Sequence, residues 1–291
     1  TIDYADGRRE WYHLLAAHYP AGRAPVEPLA TAGGVDVVDA TTDPFAVAAF
    51  VAACQGSGVP GMTWTHPQPA ASEVRVWAGE QSNTTVTMDG TALFKVFRKI
   101  EPGTNLDAEI LGALDGSGCA VPALYGRLVG AWPAGAVTDL GMVIERVAGA
   151  QDGWVIATAA CAAGVDFTAD AHALGRELAR VHAALRDLFG TEDASGDDLA
   201  ALMTARLDAA VVAADVLAPY RDALAASFAS LRGRRIEVQR VHGDFHLGQL
   251  GHTPLRRSWK LLDVDDFGAG DPAWDLARPA GFWAAGLLDD E

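Results

Sequence analysis

The stretch Val241-His242-Gly243-Asp244-Phe245-His246-Leu247-Gly248-Gln249, with Leu261-Leu262-Asp263-Val264-Asp265-Asp266-Phe267-Gly268 behind it, decides the reading of this chain. An acidic residue stands between two histidines after an apolar run, and a carboxamide, Gln249, follows it five residues on. A second acidic group, Asp263, ends another apolar run. Phosphoryl transfer asks little covalent chemistry of a protein; it needs in-line positioning, a proton acceptor and cations on the phosphates. A carboxylate such as Asp244 suits the acceptor of a hydroxyl proton. Gln249 and Asp263 offer oxygen to a hard cation. Asp265 lies two residues past Asp263 and would point the same way from an extended segment.

Working outward, five aspartates fall between Asp263 and Asp275, threaded by Leu262, Val264, Phe267 and Trp274. That interleaving argues against a merely solvated acidic loop. A calcium loop fails, because Phe267 and Trp274 occupy positions that need oxygen ligands. Asp266-Phe267-Gly268 also spells the protein-kinase metal tripeptide, a match discounted only by the register that the family resemblance below implies for Asp263.

Upstream, alternation from Glu73 to Phe97 with Asp89-Gly90 between Met88 and Thr91 predicts an antiparallel hairpin. Lys95 sits in its second strand, and such a lysine either snorkels outward or contacts phosphate. Glu109, in the acidic first turn of a helix predicted to begin near Asn105, is its expected ion-pair partner. Gly79-Glu80-Gln81-Ser82-Asn83-Thr84 is a small polar turn where nucleotide phosphates would be covered, with Gln81, Ser82 and Asn83 as the contacts. It is neither G-x-G-x-x-G nor a Walker loop. Met142 to Val147 reads as a strand and connection whose backbone at Glu145 and Val147 would meet adenine.

Elsewhere, Pro44 to Val51 looks helical. Ala171 to Leu188 sets Leu174, Leu178, Val181, Leu185 and Leu188 on one helix face. His182 on that helix reads as a satisfied core histidine. Ala200 to Leu231 predicts further helices interrupted at Pro219, and Gly190 to Asp198 a surface loop. Strands are expected near Ile236 to Val238 and Trp259 to Leu262.

Half of the 291 residues are hydrophobic, enough for a large core of two or three subdomains. A formal charge of -16 argues against nucleic-acid or anionic-membrane surfaces. Cys54, Cys119 and Cys161 have no metal spacing, so reduced, buried cysteines in a cytoplasmic protein are expected. No apolar run approaches a membrane span and no signal peptide is visible. The chain starts at Thr1 and stops at Glu291, just past an apolar segment, so both ends are read as trimmed.

His242 to Gln249, Asp263-Val264-Asp265 and Gly270-Asp271-Pro272-Ala273-Trp274-Asp275-Leu276-Ala277 together resemble the aminoglycoside phosphotransferase group of kinases. Within it the chain is similar to maltokinases and glucosamine kinases, through the 79–84 turn, Phe94-Lys95-Val96-Phe97-Arg98-Lys99 and Gly153-Trp154 with Ala157-Thr158-Ala159. The resemblance implies an α+β, bilobal, protein-kinase-like fold. Its divisions are an N-terminal cap subdomain at 1–76, an ATP-binding subdomain at 77–150 and a mainly helical C-lobe at 151–291. It implies ATP and Mg2+, with Asp244 as base, Gln249 and Asp263 as metal ligands, joined by Asp265, and Lys95 with Glu109 on the phosphate side. His246, Asp271 and Trp274 are the expected acceptor contacts.

Maltokinases run Asp-Phe-Glu-Gly-Glu-Pro after the second metal motif, whereas residues 263–275 here follow the aminoglycoside-kinase version. That shifts the expected acceptor to an amino sugar: glucosamine, giving glucosamine 6-phosphate, with maltose or an aminoglycoside as alternatives. The protein is expected to be a monomer with a small-molecule sugar partner. A metal-dependent hydrolase built on His242, Asp244, His246 and Asp263 is a competing reading, but it leaves Lys95, Glu109 and the 79–84 turn unexplained. A binding-only pseudokinase is disfavoured by the presence of base, metal groups and lysine together.

Overall fold

A computed structural model describes residues 1–55, 58–67, 71–77, 84–132, 135–254, 258–262 and 268–276. The chain forms two compact units: Thr1–Val165 with Gly248–Asp265, and Asp166–Leu247 with Asp266–Glu291. This grouping is coarser than the three linear segments read from sequence. Its first boundary falls at Val165 rather than near residue 150, and a later hairpin returns to the first unit.

The first unit is built on a six-stranded antiparallel sheet. Its spatial order is Met62–Trp64, Leu124–Ala131, Val137–Glu145, Ala92–Val96, Thr84–Met88 and Val74–Val76. Alternation explains the buried strand at its centre, where Ala92, Phe94 and Val96 are buried and share one face. The expected hairpin is present. Asp89 and Gly90 take φ of 48° and 65°, as a two-residue turn between twisted strands requires, and Thr91 N donates to Met88 O at 3.1 Å. The Asp89 carboxylate accepts from the backbone of Ser72 and Glu73, so the turn also ties down the edge strand Val74–Val76.

Helix Leu106–Leu114 follows, capped by Asn105, whose side chain accepts from Asp107 N at 3.0 Å. The N-terminal residues add helix Pro44–Gln55 and two small antiparallel sheets. One is ordered Ala16–Pro20, Val35–Asp39, Ala30–Ala32; the other joins Ile2–Asp3 and Arg9–Tyr12 to Lys99–Ile100. Hairpin Leu250–Thr253 with Ser258–Leu261 pairs with Gln151–Asp152, and Leu261 N donates to Ala120 O at 2.9 Å. These backbone bonds account for its return to the first unit.

The second unit is mainly helical. Helix Thr168–Phe189 buries Leu174, Leu178, Val181, His182 and Leu185, and ends at Gly190 with φ 78°. Leu188, expected on the buried face, is 50% exposed, because the last turn runs past the core. Helices Gly196–Ala213 and Arg221–Ala229 flank a 3-10 segment, Asp215–Tyr220, containing Pro219. The loop expected over Gly190 to Asp198 is instead a strand, Thr191–Ser195, followed directly by helix. Its residues show no apolar alternation, and it is a strand because Arg235–Val241 supplies the backbone partners. Strand Gly268–Gly270 pairs on the other side of Arg235–Val241.

The three cysteines are free and half-buried rather than buried. No helix among the described residues is long and apolar enough to cross a membrane.

Candidate functional site

In the first unit, Lys95 lies mid-strand, opposite Thr85 on one neighbour and Met142 on the other. Its side chain is 12% exposed, and Nζ stands 3.5 Å from Asp107 Oδ2 on the capped helix. Burial of a lysine needs a compensating charge, and Asp107 supplies one from a carboxylate only 5% exposed. Glu109, expected in that place, is half-buried one turn into the same helix. Asp107 and Glu109 share the first turn of the helix, and spacing alone singles out Glu109 without showing that Asp107 also meets Lys95. Gly141 allows the next strand to lie close: a Cβ there would stand 2.6 Å from Lys95 O and 2.7 Å from Phe94 Cε2.

The strand Val137–Glu145 ends at Glu145, the residue before Arg146 and Val147. Glu145 N donates to Ala123 O, and its carboxylate accepts from Lys260 Nζ at 2.6 Å and Ala123 N at 3.3 Å. Lys260 is a second basic residue that sequence reading did not single out. Val147 O accepts from Ala150 N in the turn that follows.

Gln249 closes a 3-10 turn, Leu247–Gln249, and its backbone oxygen accepts from Leu262 N at 2.8 Å. That bond sets the residue before Asp263 beside Gln249. Asp263 and Asp265, like Gln81, Ser82 and Asn83, lie outside the described residues.

In the second unit, strand Arg235–Val241 leads into the loop of Asp244. Asp275 is completely buried, and its two oxygens accept from His242 N (2.7 Å), Gly243 N (2.8 Å) and His182 Nε2 (2.7 Å). A buried carboxylate surrounded by donors in this way fixes the backbone around it. Donation from Nε2 also sets the His182 tautomer. Gln239 Nε2 donates to His182 O at 2.8 Å, and Trp274 Nε1 donates to Gly243 O at 2.8 Å. Gly243 has φ 82°, a conformation that favours glycine.

On this frame Phe245 is buried against the His242 ring, and the Asp244 side chain is left 26% exposed. His246 Nε2 stands 3.6 Å from Asp244 Oδ2. His242, which a hydrolase would use as a ligand, is only 1% exposed. Asp271 is exposed, and its carboxylate accepts from Ala273 N at 2.9 Å, capping the turn into 273–276. Trp274 is 43% exposed while its indole N–H holds the loop. From sequence, Asp275 belongs to the 270–277 motif and His182 to the helical core. Nothing in the spacing joins them, since they stand 93 residues apart.

Residues 73–289 match the phosphotransferase enzyme family. The fold is similar to a solved structure of glucosamine kinase in complex with glucosamine, ADP and inorganic phosphate. The TM-score is 0.68 at 22% identity, over 98% of this chain and 76% of that one. A second glucosamine kinase structure, crystal form A, matches with a TM-score of 0.67 at 22% identity, over 98% and 68%. Wild-type aminoglycoside 2'-phosphotransferase-IIIa as a GDP complex gives a TM-score of 0.48 at 18% identity, over 77% and 78%. The chain belongs to the phosphotransferase enzyme family, with its protein-kinase-like fold and a hydroxyl as the phosphoryl acceptor.

Proposed function

We propose that the protein is an ATP-dependent sugar kinase whose acceptor is glucosamine, with Asp244 as the general base. The observation that carries this reading is the loop of residues 242–244. Its backbone is held by the buried Asp275 carboxylate and by Trp274, while the Asp244 side chain keeps contact with solvent. A base must be both accessible and fixed, because misplacement by a fraction of an ångström weakens proton transfer.

The residues fit magnesium and nucleotide. Gln249 is a hard-oxygen donor bonded through its backbone to the residue before Asp263, and oxygen donors are what magnesium prefers. Gln249, Asp263 and Asp265 would hold the metal, and bound magnesium neutralises charge on the nucleotide phosphates. Lys95, oriented by Asp107 with Glu109 on the same helix, would balance phosphate charge. Gln81, Ser82 and Asn83 would cover the phosphates, and the Glu145–Val147 backbone would meet adenine. Asp244 takes the proton from the attacking hydroxyl; His246 stands beside it, and Trp274 and Asp271 would lie toward the acceptor.

Glucosamine is favoured by the likeness to glucosamine kinases over 98% of the chain and by the residue 263–275 pattern. The net charge of -16 also suits a cationic amino sugar. The test is ATP consumption with magnesium against glucosamine, glucose, maltose and kanamycin. Glucosamine-selective turnover supports the proposal. Selectivity for maltose or kanamycin would replace the acceptor, and turnover on none of the four would sink the sugar-kinase reading.

A further inference from the structure

Arg98 and Lys99 close the Phe94-Lys95-Val96-Phe97-Arg98-Lys99 motif three and four residues past the buried lysine. Lys99 Nζ donates to Glu10 Oε1 at 2.8 Å. Arg98 is more deeply set, at 23% exposure, and reaches two elements at once. Its Nε donates to Thr84 Oγ1 at 2.8 Å, and its Nη2 donates to Asp39 Oδ2 at 2.6 Å and to Thr41 Oγ1. Asp39 is itself oriented, because its other oxygen accepts from Thr41 N at 3.0 Å and Thr41 Oγ1 at 2.7 Å. The guanidinium fork is therefore fixed from one side and presented to Thr84 from the other.

Thr84 opens the strand that follows the 79–83 segment in sequence. In the ladder it pairs with Val96, and Thr85 pairs with Lys95. A strand end frays unless something holds it, and here the holder is a charge-assisted bond from a residue of the neighbouring strand's own continuation. We propose that Arg98 is a positioning residue for nucleotide binding. Braced on Asp39 and Thr41, it fixes Thr84, and with it the start of the strand that runs beside Lys95. The inference rests on the kinase reading above and deepens it: residues 39–41 become part of what orders the nucleotide side of the site.

The alternative is a staple that only fastens the N-terminal residues to the sheet. Thr84→Val removes the acceptor on the strand and leaves the Asp39 side intact, so it separates the two roles; Arg98→Lys removes the fork but keeps the charge. The measurement is Mg·ADP affinity by calorimetry for wild type, both variants and Asp39→Asn, with KM for the acceptor and Tm beside it. We expect Thr84→Val and Arg98→Lys to weaken Mg·ADP by about fivefold to twentyfold, the loss of one charge-assisted bond. Acceptor KM should stay within about twofold, and Asp39→Asn should show the same trend to a smaller degree. Wild-type Mg·ADP affinity in Thr84→Val, with only Tm lowered in Arg98→Lys, would overturn the positioning role alone. Failure of the wild type to bind Mg·ADP would overturn the kinase reading and this inference with it.

Discussion

The strand of Lys95 and the loop of Asp244 both belong to the proposed site, but they are held by different means. Lys95 is positioned by pairing on both sides and by a carboxylate on the helix that follows its strand. The loop of Asp244 has no such ladder at residues 242–246. It is held by Asp275, 32 residues past Gly243, which is in turn bonded to His182 on a helix far earlier in the chain. A residue inside a ladder, unlike one at a strand end such as Thr84, keeps its pairings on both sides when one side-chain contact is lost. The 242–244 backbone instead gives two bonds to the single Asp275 carboxylate and accepts one from Trp274, so damage at a distance should cost the second region more than the first.

Asp275→Asn probes that difference most severely. An amide cannot accept from all three donors, so at least one buried N–H loses its partner. We expect a stability loss of about 3 kcal/mol by urea denaturation and a fall in kcat of about 10³-fold, with Mg·ADP affinity nearly unchanged. Equal losses in nucleotide binding and turnover would break the distinction between the two regions. Lys95→Met should come next, lowering kcat/KM by about 10²-fold through the nucleotide while leaving acceptor KM near wild type. Gly141→Ala should act more weakly on the same region. Its Cβ would press on Lys95 O and Phe94, costing about 1–3 kcal/mol in stability with a modest rise in nucleotide KM.

The smallest effect concerns pH. Burial pushes the His13 pKa below the ordinary histidine value of 6.5. A neutral buried ring stabilises the fold fully above that value. The contribution is lost as pH falls below it, because the unfolded chain takes the proton first. His13→Phe should therefore flatten the dependence of Tm on pH just below 6.5, and an unchanged slope would remove His13 from the account.

Much of this was legible in the sequence, and the residues show why the rest was not. The Asp89-Gly90 hairpin, the helix starting at Asn105 with its acidic first turn and the apolar face of helix Thr168–Phe189 are local patterns that read directly. The Asp244 loop stood out through residue type and spacing. Strand Thr191–Ser195 did not, because its sequence carries no strand pattern and its partner residues lie 40 to 48 positions on. Asp107 was hidden beside Glu109 in one helical turn. The Asp275–His182 bond and the Arg98–Asp39 brace each join residues far apart in sequence, and single-chain spacing holds no signal for such pairs.

The most direct test of the central claim is Asp244→Asn, measured for phosphoryl transfer to the proposed sugar acceptor and for Mg·ADP binding in the same preparation. The account predicts turnover lower by about 10²- to 10⁴-fold with nucleotide affinity within about twofold of wild type. Wild-type turnover in that variant would contradict it and move the base elsewhere.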